Sequence, residues 1–263
     1  MVILSVVSAK GGVGKTTLSA NLAMALAQKR PALAADLDPQ NALRLHLGVS
    51  FSEGDGLACA ALTGVSWRQA VRNGVTSGVQ VLPFGSLSET ERDAWEVLMS
   101  QRPHLLRDQL AQLGLPKDAV VVIDTPPGPS LYQQQALRAA DMVLVVVLPD
   151  AASYATIPAM ESILDTYCHG RPDFAGSAYI INNSPSGSVL SRDVTRVLRS
   201  TLDVRLAPAV VHTDEAVREA LAHDQPVLQY APHGEATRDI RQLVAWVDDW
   251  VARAVANPAG RRA

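Results

Sequence analysis

Lys10-Gly-Gly-Val-Gly-Lys-Thr-Thr17 is the segment of this chain best equipped to do chemistry. Its small residues let backbone N–H groups close around phosphate oxygens, and a following helix adds its positive end. In such a loop Lys15 reaches β- and γ-phosphates and the Thr16 hydroxyl ligates Mg²⁺. The ordinary pattern, G-x-x-x-x-G-K-[ST], would require glycine at position 9; this chain has Ala9 and adds a second lysine, Lys10. A glycine-rich turn with two solvated lysines is the bland alternative, and the flanking elements argue against it.

Three further constellations lie downstream. Asp36-Leu-Asp-Pro-Gln40 closes an apolar run, where carboxylates can order metal-bound water and orient an attacking water. Val120-Val-Val-Ile-Asp124 is a β-branched run into a carboxylate suited to supporting the Mg²⁺ shell. The Pro-Pro-Gly after it places the Gly128 N–H where it could sense a γ-phosphate. Ile180-Ile-Asn-Asn183 ends another apolar run, and an amide there can pair with adenine or simply make a turn.

The elements that must hold these residues alternate. Strands are expected at Val2–Ser8, Ala32–Leu37, Val79–Pro83, Ala119–Ile123, Met142–Leu148, Ser177–Ile181 and Leu206–Val211. Several are apolar at nearly every position, as in strands buried on both faces of a parallel sheet. Helical spacing follows at Thr16–Lys29, Glu89–Leu113, Ser130–Ala139, Tyr154–Cys168, Val189–Thr201, Asp214–His223 and Glu235–Val255. The fold expected is α/β: a doubly wound, mostly parallel sheet of about seven or eight strands with helices on both faces. It occupies residues 1–256 as one domain, with 257–263 a flexible tail. Asp214 is expected to cap its helix, Pro158 to sit in the first turn of another, and Ser50–Gly78 to form a surface excursion.

Composition narrows the function. The 263 residues are 48% hydrophobic but only 5% aromatic, and the net charge of −3 does not fit a strongly basic nucleic-acid binder. Cys59 and Cys168 offer neither a disulfide framework nor metal-ligand spacing, which fits a reducing cytoplasm. The first apolar run is short and lacks the basic segment of a secretory leader. The longest, Met142–Leu148, is far below the roughly 20 residues that span a bilayer.

Together the motifs resemble those of the MinD/ParA (SIMIBI) ATPases: Lys10–Thr17 their deviant Walker A loop, Asp36–Gln40 their switch I and Asp124–Gly128 their switch II. The resemblance runs to Gln225-Pro-Val-Leu-Gln-Tyr-Ala-Pro232. It implies two ATP molecules sandwiched in a homodimer, with Lys10 reaching the partner's nucleotide. It implies that Gly11, Gly12, Val13, Gly14 and Lys15 hold phosphates, and that Thr17 touches the α-phosphate. Thr16, Asp36 and Asp124 would serve Mg²⁺, Asp38 the hydrolytic water and Asn182 the adenine. Slow hydrolysis is expected, as in a switch.

Trp67-Arg-Gln-Ala70, Val81-Leu-Pro-Phe-Gly-Ser-Leu-Ser88 and His212-Thr-Asp-Glu-Ala-Val-Arg-Glu-Ala220 resemble the members that serve bacterial cellulose biosynthesis. So does Pro39-Gln-Asn-Ala-Leu-Arg-Leu45, which lacks the glycine that many ParA proteins place between Gln and Asn. The implied partners are other components of a cellulose machine at the inner membrane, with the protein cytoplasmic and peripheral. Two rivals remain. A DNA-partition ATPase would need the Arg192, Arg196 and Arg199 helix face, where Asp193 and Asp203 interleave. A membrane-positioning ATPase would need a basic amphipathic end, whereas Trp246 and Trp250 flank Asp248 and Asp249 and suit a core or partner.

Overall fold

A computed structural model describes residues 1–50, 56–74 and 78–256. Among them one sheet has eight strands: β1 Val2–Val7, β2 Ala32–Asp36, β3 Arg72–Asn73, β4 Gln80–Leu82, β5 Val120–Asp124, β6 Met142–Val147, β7 Gly176–Ser184 and β8 Leu206–His212. Their order is β3-β4-β2-β5-β1-β6-β7-β8, all parallel except the β3–β4 pair. The first strand lies inside the sheet between β5 and β6. The chain therefore leaves it toward one edge and later returns to build the other, which puts the ligand crevice beyond the carboxyl ends of the middle strands.

Pleating explains the continuous apolar runs. Leu4, Val6, Val120 and Val122 pack on one face against the helices Lys15–Ala27 and Glu235–Ala256. Ile3, Val121 and Ile123 pack on the other, against the helices Glu89–Gln101, Leu105–Gln112 and Leu131–Ala139. Val143, Val145, Tyr179 and Ile181 extend that second layer against Ile157–Leu164 and Val189–Leu202. In β1, β2, β5 and β6 every residue is buried, so alternation with exposed polar residues is absent there. Trp246 and Trp250 lie partly buried against the first layer, with ring centroids 5.3 Å apart. Among the described residues no helix is long and apolar enough to cross a membrane.

Four expectations are corrected. The helix expected over Glu89–Leu113 is two helices, Glu89–Gln101 and Leu105–Gln112. Pro103 disfavours helical backbone at Arg102, and the break exposes polar ends. Gln135 closes both ends: its Nε2 donates to the Met99 and Arg102 carbonyls at 2.9 and 2.7 Å, and its Oε1 accepts the Leu106 N–H at 3.1 Å. The pattern expected at Tyr154–Cys168 starts earlier, at Ala151, because Asp150 accepts the Ser153 N–H at 2.6 Å. It breaks at Thr156, resumes at Ile157 with Pro158 in its first turn, and ends in a π-turn over Asp165–His169.

Asp214 does not cap the next helix from the expected position, since Glu215 holds it. Its Oδ1 accepts the Ala216 N–H at 3.0 Å, while Oδ2 crosses to the first turn of Glu235–Ala256 and accepts the Ala236 N–H at 3.1 Å. The excursion expected at Ser50–Gly78 also has structure, apart from residues 51–55 and 75–77, which lie outside the description. It supplies the helices Leu57–Thr63 and Trp67–Ala70 and the antiparallel edge strand β3. Trp67 is fully buried in the second layer. Trp67→Ala should cost about 3–5 kcal/mol of stability, as truncation of a buried aromatic does. Denaturant melts read this directly, and a loss below about 1 kcal/mol would return the segment to the surface. The tail expected at 257–263 lies outside the described residues.

Candidate functional site

The glycine-rich loop joins β1 to the helix Lys15–Ala27 at the sheet's crevice. Gly12 and Gly14 take φ values of 71° and 86°, the left-handed region where a side chain is strained. A Cβ on Gly14 would also stand 2.3 Å from Asn182 Nδ2. These two turns aim consecutive N–H groups inward, an anion-binding concavity ahead of a helix end. A Cβ on Gly11 would stand 3.6 Å from Pro127 Cγ, and Val13 is buried.

Lys15 is almost fully buried, and its Nζ donates to Ser8 Oγ at 2.9 Å. Burial lowers its pKa, while the negative charges of Asp124 and Asp38 oppose that shift. Lys10 behaves differently. It is partly exposed and its Nζ lies 3.3 Å from Asp150 Oδ2, at the start of the helix Ala151–Ala155. The two lysines of one loop thus point to two surroundings, one internal and one at the surface.

The carboxylates sit side by side. Asp36 and Asp124 are register partners at the ends of adjacent strands, and both are fully buried. The two oxygens of Asp36 accept the Asp38 N–H at 2.9 Å and the Leu43 N–H at 3.0 Å, which ties down the loop carrying Asp38. Asp124 Oδ1 accepts the Ser19 hydroxyl at 2.9 Å, and Thr16 bonds the same carboxylate. Asp124 Oδ2 is buried without a hydrogen-bond partner. A buried, unpartnered carboxylate oxygen beside a threonine hydroxyl fits a hydrated magnesium ion. Among the described residues no three His, Cys, Asp or Glu side chains form a ready cation cage. That suits an ion held mainly by phosphate oxygens and water rather than by an all-protein site.

Burial pushes the Asp124 carboxyl up to about 6, against hydrogen bonds from Thr16 and Ser19 and the charge of Lys15. Burial and the charge of Asp124 raise Asp36 as well. A carboxyl raised in the folded state favours folding fully only below the ordinary range of about 4, and that contribution disappears as pH rises through about 6. At pH 8 a charged Asp124 is therefore a load on the nucleotide-free protein. Asp124→Asn should melt a few degrees higher than wild type at pH 8, on the order of 1 kcal/mol, with the gap closing toward pH 5. Thermal melts without nucleotide at both pH values check this, and an unchanged or lower melting point at pH 8 would contradict it.

The remaining expected residues converge on the same crevice. Gly128 has a φ of 74°, and its N–H donates to the Ser8 carbonyl at 3.1 Å. In this structure that donor is engaged within the loop cluster. Asn182 lies within β7, which runs on to Ser184 past the expected end, and Asn183 has a φ of 53°. The pairing with β8 shifts register there, and Asn182 Nδ2 donates to the Val13 carbonyl at 2.7 Å. Beside it a cleft of about 260 Å³ opens, lined by Gly12, Thr17, Leu18, Val211, His212 and Ile240 among others. Thr17 thus lines the cleft that Asn182 also borders.

Several participants gave no local signal. Ser8 receives Lys15, and its own hydroxyl donates to the Lys10 carbonyl at 2.6 Å. Asp150 holds Lys10 from 140 residues away. Asn41, buried and with a φ of 52°, accepts the Phe84 N–H at 3.1 Å, joining the Asp38 loop to the end of β4. Its left-handed backbone fits the missing glycine, because asparagine tolerates that conformation.

Comparison with known proteins shows the family and the fold. The family model for "Cellulose biosynthesis protein BcsQ" matches residues 1–247. The protein of that name from Salmonella typhi is 31% identical over 255 residues, covering 94% of each chain. The Escherichia coli K12 protein of that name is 32% identical over 250 residues with the same coverage. Among solved structures, MinD with Mg-ADP from Pyrococcus horikoshii superposes with a TM-score of 0.76 at 25% identity, covering 96% of this chain and 98% of that one. An ATP complex of a Cyanothece McdA variant gives 0.80 at 21% identity, covering 96% of each, a likeness of fold.

Proposed function

As this chain belongs to the cellulose biosynthesis protein BcsQ family, within the MinD/ParA-like ATPases, we propose that it is a Mg²⁺-dependent, slowly hydrolysing ATPase that works as a dimerisation switch. The observation that carries this reading is the split between its two loop lysines. Lys15 is buried beside the carboxylates, whereas Lys10 stands at the surface on a pair it can leave.

Each residue has a task in this reading. The N–H groups of Gly11, Gly12, Val13 and Gly14 cradle phosphates. Lys15 exchanges its neutral Ser8 partner for phosphate oxygen, a stronger charge-assisted contact. Thr16 holds Mg²⁺, with Asp124 and Asp36 ordering its water shell. The ion neutralises charge developing on the phosphates. Asp38 orients the attacking water, on a loop that Asp36 and Asn41 keep in place. Thr17 contacts the α-phosphate and Asn182 the base.

Lys10 makes the switch. Its pair with Asp150 is half-exposed, and such pairs contribute about 0–1 kcal/mol. A second copy's triphosphate offers a stronger anion. ATP would therefore draw Lys10 across an interface and shape the dimer, and hydrolysis would remove that contact. The Gly128 N–H, held by Ser8 without nucleotide, would turn to the γ-phosphate in the same transition.

The partners in this reading are other cellulose-synthesis (Bcs) components at the inner membrane, met from the cytoplasm through protein contacts. No direct role for nucleic acid is included. A pull-down from native membranes with ATP and an Asp38→Ala bait tests it. Enrichment of cellulose synthase components, absent with ADP, is the expected result. Recovery of chromosomal or plasmid DNA instead would move the protein to partition.

A further inference from the structure

Ser8 lies outside the glycine-rich motif, yet it bonds four groups of the site. We infer that it is a positioning residue that sets the loop's nucleotide affinity by competing with phosphate for Lys15. The inference rests on the nucleotide-binding reading above and adds what a nucleotide must displace.

Ser8 directly follows β1 and is fully buried. Its hydroxyl donates to the Lys10 carbonyl at 2.6 Å. A hydroxyl has one proton, so toward Lys15 it offers only lone pairs. Lys15 Nζ donates to it at 2.9 Å. Among the described residues no other atom accepts a hydrogen bond from that ammonium, and Asp124 and Asp38 act on it through charge. The main-chain carbonyl of Ser8 serves separate partners. It accepts the Gly128 N–H at 3.1 Å and Gln133 Nε2 at 3.4 Å.

These contacts divide between the free and bound states. A carbonyl oxygen is no ligand for phosphate, so the Lys10 bond is compatible with both. The Lys15 bond is not, because reaching a β-phosphate takes Nζ away from Ser8. Any nucleotide therefore breaks one charge-assisted hydrogen bond as it makes its own. A free state stabilised by that bond lowers the apparent affinity. Without the hydroxyl, Lys15 is buried and unpartnered until phosphate arrives, which raises the free state more than the bound one.

Ser8→Ala should accordingly fold less stably yet bind nucleotide more tightly, a combination that loss of mere structural support does not produce. Titration calorimetry with Mg·ADP and with a non-hydrolysable Mg·ATP analogue, beside thermal melts without nucleotide, reads both changes. The variant should melt a few degrees lower and bind each nucleotide about fivefold more tightly or better. The two gains should be equal, because Gly128 bonds the main-chain oxygen that the substitution keeps. Ser8→Cys nearly preserves the side-chain size but offers a weaker acceptor, and should shift affinity the same way if the alanine variant does not fold. Unchanged or weaker ADP affinity in the folded variant would overturn the inference and leave Ser8 a supporting role. A gain confined to the ATP analogue would overturn it as well, by moving the effect to Gly128. If wild type bound neither nucleotide, the underlying reading would fall instead.

Discussion

Asp38→Ala protein should bind Mg·ATP, hydrolyse it at least about 10²-fold more slowly than wild type, and accumulate as a dimer. The magnitude is that of removing a group that positions or activates the nucleophile. The structure explains why binding survives. Among the described residues Asp38 makes no hydrogen bond to the glycine-rich loop and acts on Lys15 through its charge alone. Its Oδ1 accepts only the Gln40 N–H, two residues on, at 2.9 Å. The segment is held by Asp36, which accepts the Asp38 and Leu43 N–H groups from a buried position. Truncation at Asp38 therefore removes the carboxylate proposed to orient the water and leaves its support in place. Single-turnover hydrolysis, together with the mass of the ATP-bound species, measures both halves. Wild-type turnover would show that another group handles the water.

Lys10→Ala has its largest effect on assembly. The variant should weaken ATP-dependent dimerisation at least about 30-fold, the loss expected when one partner of an interfacial charge pair is removed. Nucleotide affinity of the monomer should change by less than about threefold, because an exposed charge outside the pocket contributes little there. In the isolated chain Lys10 binds Asp150, so the substitution also frees a half-exposed carboxylate. Partial burial raises the pKa of Asp150, but hydrogen bonds from Ser153 and Lys10 outweigh it and hold the group below the ordinary value. Its bond to the Ser153 N–H persists in the variant, so the Ala151–Ala155 helix keeps its cap. Sedimentation across a concentration series with ATP and Mg²⁺ separates the two effects. Equal losses of dimer and monomer affinity would assign Lys10 to its own nucleotide.

What could be read from the sequence was chemistry carried by neighbouring residues. The Lys10–Thr17 loop and the β-branched run into Asp124 each declare themselves within eight residues, because backbone geometry alone positions them. The seven apolar runs likewise announce a sheet buried on both faces, and all seven are strands. The eighth strand, Arg72–Asn73, is two polar residues at an edge, where burial imposes no pattern. Helix boundaries failed where a distant side chain supplied the cap. Pro103 carries a signal for a break, but Gln135 makes that break stable from 33 residues beyond Arg102. Asp214 bonds the start of its own helix and also bridges to the last helix. The Lys10–Asp150 and His212–Asp239 pairs join elements that only the folded sheet brings together. Periodicity cannot report such contacts.

The central claim is that triphosphate, through Lys10, converts a monomer into a dimer. Light scattering on size-exclusion chromatography tests it most directly, comparing Mg·ADP with a non-hydrolysable ATP analogue. The account predicts one chain, 28.0 kDa, with ADP and twice that mass with the analogue. In Lys10→Ala the shift should be lost at the same concentration. An identical mass in both nucleotide states of the wild-type protein would contradict it.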